Sequence, residues 1–88
     1  MSYKVEISKR ALKQLNKLSS EFQERIQAKI DDLASEPRPN GVKKLKNREN
    51  GYRIRVGDYR ILYDIYDDIL LITVVEIGHR SKVYKDES

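Results

Sequence analysis

Tyr52-Arg53-Ile54-Arg55-Val56-Gly57-Asp58-Tyr59-Arg60-Ile61-Leu62-Tyr63 is the stretch on which the fold turns. Apolar residues alternate with arginines before Gly57-Asp58 and the alternation resumes after it, which predicts two strands joined by a two-residue hairpin turn. That connection sets Val56 opposite Tyr59, Arg55 opposite Arg60 and Ile54 opposite Ile61. Tyr52, Ile54, Val56, Tyr59, Ile61 and Tyr63 then share a face that needs a covering layer, and Arg53, Arg55 and Arg60 share the other. Like charges directly opposite each other destabilise a sheet by up to about 1 kcal/mol per pair, so stability alone would not set arginine against arginine. A single surface arginine is most simply a solvated one. Three on a rigid sheet form a multi-donor surface suited to phosphate, with paired hydrogen bonds that lysine cannot make.

Working outward, Tyr3, Val5 and Ile7 alternate with Lys4 and Glu6 as a first strand. Ser8 stands at an N-cap position before a short amphipathic helix carrying Ala11, Leu12, Leu15 and Leu18. Ser20 and Gln23 resemble a capping box, after which Phe22, Ile26, Ile30 and Leu33 form the apolar stripe of a second helix ending near Ser35. Pro37 and Pro39 force a turn. On the other side of the hairpin, Asp67-Asp68 reads as a second turn and the apolar run from Ile69 to Ile77 as a strand covered on both faces. The order is β-α-α-β-β-β. It is an α+β domain with two antiparallel helices on one face of a small, mainly antiparallel sheet, the first strand being added at an edge. Running the second hairpin back brings Gly78 to Tyr84 beside the arginines. It also puts Leu62, Leu71 and Val75 on the arginine face, an apolar strip for a protein partner or the C-terminal tail to cover.

The 88 residues, 39% hydrophobic, fit one domain over 1–88 with a core near the lower size limit. There is no cysteine, so neither disulfides nor thiolate metal sites contribute. The opening residues lack the apolar stretch of a signal peptide and no run of eighteen apolar residues occurs, so the expected location is the cytoplasm and no membrane is expected as a partner. Eighteen basic against 14 acidic residues give a net charge of +4, compatible with nucleic acid. Lys43, Lys44, Lys46, Arg48, Arg53, Arg55 and Arg60 fall together, with only Glu49 and Asp58 as acids among them. His79, the single histidine, can serve as acid or base or make a structural hydrogen bond. One histidine and scattered acids give no metal-ligand spacing, and the chain has neither a phosphate-cradling glycine loop nor a Ser-His-acid arrangement.

The hairpin residues, with Ile77-Gly78-His79-Arg80 and Ser81-Lys82-Val83-Tyr84, resemble the core of RelE-type toxins of the RelE/ParE superfamily, and the likeness runs through almost the whole chain. The resemblance implies a microbial-ribonuclease-like fold and ribosome-dependent cleavage of mRNA in the decoding site, without metal or other cofactor. By the same likeness Arg53, Arg55, Arg60, Arg80 and Tyr84 are the catalytic set. Lys43, Lys44, Lys46, Arg48, His79 and Lys82 are candidate RNA contacts, and a cognate antitoxin is the expected protein partner. Well-known members carry lysines where Arg53 and Arg55 stand, a departure that matters because arginine holds its proton far more firmly than lysine and is a poor proton shuttle. Two alternatives remain open: a ParE-like toxin that poisons DNA gyrase, and a basic RNA-binding module without cleavage.

Overall fold

The computed structural model describes residues 2–79. Its elements are β1 (Lys4–Ile7), α1 (Lys9–Asn16), α2 (Ser20–Leu33), β2 (Lys43–Lys44), β3 (Gly51–Val56), β4 (Tyr59–Tyr66) and β5 (Leu71–His79). The strands form one sheet in the order β1-β5-β4-β3-β2. β3, β4 and β5 are the expected meander. β1 joins parallel to β5, with Lys4–Ile7 against Leu71–Val74, and β2 adds two residues antiparallel to β3 that no hydropathy alternation marked. Both helices cover one face: Ala11 and Leu15 of α1 and Ile26, Ile30 and Leu33 of α2 form one core with Ile54, Val56, Ile61, Tyr63, Ile65, Ile72, Val74 and Ile77. Each fully buried isoleucine or leucine contributes about 1.5–3 kcal/mol, which suits a domain without cross-links. Among the described residues no helix is long and apolar enough to cross a membrane.

Ser8 caps α1 as expected. Its Oγ accepts from the Ala11 N–H at 3.0 Å and donates to the Val75 carbonyl at 3.0 Å, so one hydroxyl starts the helix and ties it to the last strand. β1 stops opposite Val74, and beyond that point α1 takes over the strand's role: the Ile77 N–H donates to Gln14 Oε1 at 2.7 Å. The capping box fails by one residue. Ser19 is the N-cap, and the Gln23 amide instead donates to the carbonyls of Leu18 at 2.8 Å and Asn16 at 3.3 Å. Those are orphan acceptors at the end of α1, so Gln23 joins the two helices.

The far end of the sheet is closed by the proline turn. Arg38 donates to both oxygens of Asp67 at 3.3 and 2.8 Å and to the Tyr52 hydroxyl at 3.3 Å. Tyr3 donates to Asp67 at 2.6 Å and Tyr63 to the Pro37 carbonyl at 2.8 Å. The Arg38 guanidinium, followed by the Tyr3 hydroxyl, holds the Asp67 carboxyl below the usual carboxylate range, and burial pushes the Tyr63 phenol up. The last strand begins at Leu71, not Ile69. Asp67 to Leu70 form the turn, Leu70 takes a positive φ of 53°, and Ile69 points into solvent at 63% exposure.

Candidate functional site

The hairpin has the expected register: Val56 faces Tyr59, Arg55 faces Arg60, Ile54 faces Ile61, and Arg53 faces Leu62. Gly57 supplies the positive φ, +61°, at the first loop position, as a type II′ turn demands. On its other side Arg53 faces Lys43. Lys43, Arg53, Arg55 and Arg60 therefore share the face away from the helices. Their exposure differs from the expectation of three solvent-facing arginines. Arg55 is exposed, with its Nε donating to the Gly57 carbonyl at 3.0 Å, and Arg53 is half-buried, whereas Arg60 is only 4% exposed. Arg60 lies on the middle strand between β3 and β5, while the other two stand nearer the sheet edge.

A loop from Leu45 to Asn50 closes over this face. Leu45, 2% exposed, packs on Leu62, 4% exposed, in a small cluster of their own. The expected apolar strip is thus already covered at Leu62. A bulge at Leu62/Tyr63 sets Leu62 opposite Glu76 and Tyr63 opposite Val74; Val75, the extra residue next to core-facing Val74, lines the groove with Leu62 and Glu76. Glu76 brings a buried carboxylate, which Arg10 of α1 meets at 3.4 Å.

Of the candidate RNA contacts, Lys43 joins the arginine face and Lys46 is exposed on the covering loop. Lys44 turns the other way. It is paired with Tyr52, its ammonium lies 5.4 Å from that ring, and it donates to the carbonyls of Leu45 and Arg48. Arg48 gives its guanidinium to Asp64, through Nε at 3.3 Å and Nη2 at 2.5 Å. Gly78 faces Arg60, but His79 faces Tyr59, and its ring meets Tyr59 edge-on at 5.8 Å, extending a contact between Tyr59 and Phe22 at 4.9 Å. His79 therefore ends an aromatic row on the helix side. A groove lined by Asn47, Arg48, Leu62, Gly78, His79 and Gln14 passes round the β5 edge from the arginine face to α1. Arg80, Lys82 and Tyr84 lie outside the described residues.

Sequence reading missed Asp64 and Glu76. The available signal was a carboxylate interrupting an otherwise apolar strand, a position where acids are depleted unless something compensates them.

A family model described as the ParE toxin of the type II toxin-antitoxin system parDE matches residues 5–84. The chain belongs to the RelE/ParE toxin superfamily. RelE1 of Methanocaldococcus jannaschii is 33% identical to this superfamily member over 98% of this chain and 99% of its own. The mRNA interferase toxin RelE of Escherichia coli is 30% identical over 98% and 94%. The archaeal RelE from Pyrococcus horikoshii, solved in complex with RelB, superposes with a TM-score of 0.83 at 31% identity, covering 93% of this chain and 99% of that one. The two-helix, five-strand arrangement is thus that of the RelE toxins.

Proposed function

We propose that this chain, as a single toxin domain over residues 1–88, is the toxin of a type II toxin-antitoxin pair and cleaves mRNA on the ribosome without a metal. The observation that carries the reading is the cross-strand Arg55–Arg60 pair, with Arg53 and Lys43 in the adjoining row, on the face that the helices leave free. In the reaction an RNA 2′-oxygen loses its proton and bonds to the adjoining phosphorus, the bond from phosphorus to the 5′-oxygen breaks, and that oxygen takes up a proton. Arg53 and Arg55 engage the phosphate from the open surface, and Arg60 adds its charge from within the sheet. Together with Arg80 they offset the extra negative charge of the transition state. Tyr84 orients the nucleotide or assists proton transfer. Arginines are poor general bases, so positioning by the ribosome contributes much of the acceleration, and free RNA is cut slowly.

The relatives solved as RelE-RelB complexes support a cognate antitoxin; the basic face is the surface it would cover, and the cytoplasm is the site of action. A second reading follows from the matched family model, which is that of ParE: a toxin of gyrase. A translation assay with mapped mRNA ends separates the two. Codon-positioned cuts by the native chain, lost in Arg60→Ala and Tyr84→Phe, support the nuclease. Intact mRNA with inhibited gyrase supercoiling would replace it by the second reading.

A further inference from the structure

Asp64 sits mid-strand in β4, 6% exposed, and its neighbours at that level are Gly51 and Thr73, neither of which supplies a cation. A buried carboxylate is strongly unfavourable unless it is paired and hydrogen-bonded. The cation arrives from outside the sheet, as the two-pronged contact from Arg48 in the covering loop. To reach it, Arg48 lies across Gly51: a Cβ on Gly51 would stand 2.7 Å from the Arg48 Cβ and 3.2 Å from its Cδ and Nε. The missing side chain at position 51 and the buried acid at position 64 are therefore two halves of one arrangement. The rest of the loop is fastened to the same surface. Leu45 is buried on Leu62, the Leu45 N–H donates to the Gly51 carbonyl at 2.9 Å, and the Gly51 N–H donates to the Arg48 carbonyl at 3.2 Å. The Lys44 ammonium donates to the Arg48 carbonyl as well. Lys46 and Asn47 are carried exposed on this loop, and Asn47 lines the groove that leaves the arginine face.

We propose that Arg48 and Asp64 are positioning residues, a latch that fixes the Leu45–Asn50 loop as one wall of the RNA groove and presents Lys46 to the phosphate backbone. Neither latch residue reads the RNA. The inference rests on the RNA-binding reading above and makes a prediction of unusual sign. Asp64→Asn removes a negative charge from a basic face, which by electrostatics alone tightens RNA binding. With a latch it weakens binding, because the loop is released.

The test uses a short unstructured oligoribonucleotide carrying 2′-O-methyl groups, so that it cannot be cut, and measures its affinity by fluorescence anisotropy over a range of salt. The full chain is compared with Asp64→Asn, Lys46→Ala and the double variant. Asp64→Asn weakens binding about tenfold, within the coupling expected of groups in contact. Lys46→Ala weakens the native chain about threefold and lowers the salt slope by about one phosphate contact, yet changes the Asp64→Asn background by less than about 1.5-fold. A loss of overall stability alone does not produce that coupling. Equal or tighter binding by Asp64→Asn, or the same Lys46→Ala effect in both backgrounds, overturns the proposal. If Asp64→Asn does not fold, Gly51→Ala takes its place, since it displaces the Arg48 side chain and leaves both charges intact; the same weakening and coupling are required of it. A native chain that binds the oligonucleotide but leaves ribosomal mRNA intact sinks the nuclease reading and spares the latch. A native chain that does not bind RNA sinks both.

Discussion

Replacing Arg60 by methionine should make the domain more stable and less active. Arg60 is 4% exposed and stands directly across from Arg55 on the middle strand of the sheet. Relief of the like-charge pair contributes up to about 1 kcal/mol. Methionine matches the reach of the arginine stem, brings no charge that burial penalises and fills an irregular space readily. Next to the site, Leu62 and Leu45 already form an apolar contact that a thioether can join. In a domain of this size about 1 kcal/mol moves the melting temperature by about 4–8 °C, so Arg60→Met should melt above the native chain by up to that amount. Loss of a direct donor to a developing oxyanion costs about 10²- to 10³-fold in rate; Arg60 acts by its charge from within the sheet, so codon-positioned cleavage should fall by up to that factor in the same preparation. Calorimetry and mapped mRNA ends measure the two. A lower melting temperature would refute the reasoning about the sheet, because it would make Arg60 a net structural contributor. Unchanged cleavage would refute its place in the chemistry.

Three further outcomes follow from the fold. Ser8→Ala removes both the cap on α1 and the bond to the Val75 carbonyl; a loss of about 1 kcal/mol, or about 4–8 °C in melting temperature, is expected. Tyr63→Phe loses the bond to Pro37, about 1 kcal/mol. Burial raises the folded-state pKa of Tyr63, so its contribution is present below about pH 10 and is lost as pH rises through the folded value; the variant should therefore show a shallower alkaline decline in melting temperature. The Asp67 carboxyl is held low by Arg38 and Tyr3, so its contribution is present above the ordinary carboxylate range and is lost as pH falls through the lowered value. Melts of Asp67→Asn against the native chain below about pH 4 should then converge.

The meander, the hairpin register and the sharing of one face by Arg53, Arg55 and Arg60 were legible in the sequence, because a two-residue turn between alternating segments leaves no freedom of pairing. What escaped was set by groups distant in sequence. Arg60 reads as identical to Arg53 and Arg55 in pattern, yet it is buried on the middle strand while they stand nearer the edge of the sheet. The bulge that brings Glu76 opposite Leu62, beside Val75, has no marker in an apolar run. Arg48 looks like one more cation in a basic segment until Asp64, sixteen residues on, is seen beneath it. Lys44 is turned aside by the carbonyls of its own loop, and Gln23 caps the wrong helix because the end of α1 lies within reach. Local spacing specifies elements; it does not report which polar group will be the nearer partner.

The parallel seam between β1 and β5 sets a timetable for synthesis. Ser8 bonds to a carbonyl 67 positions later, and at about 5–20 residues per second a ribosome needs roughly 3–13 s to make that stretch. The first strand translated must therefore wait for the final one, while the helical hairpin can form meanwhile from neighbouring residues. Completion of the sheet is consequently a late, all-at-once event, and a chain interrupted before Val75 cannot assemble the basic surface in its finished form.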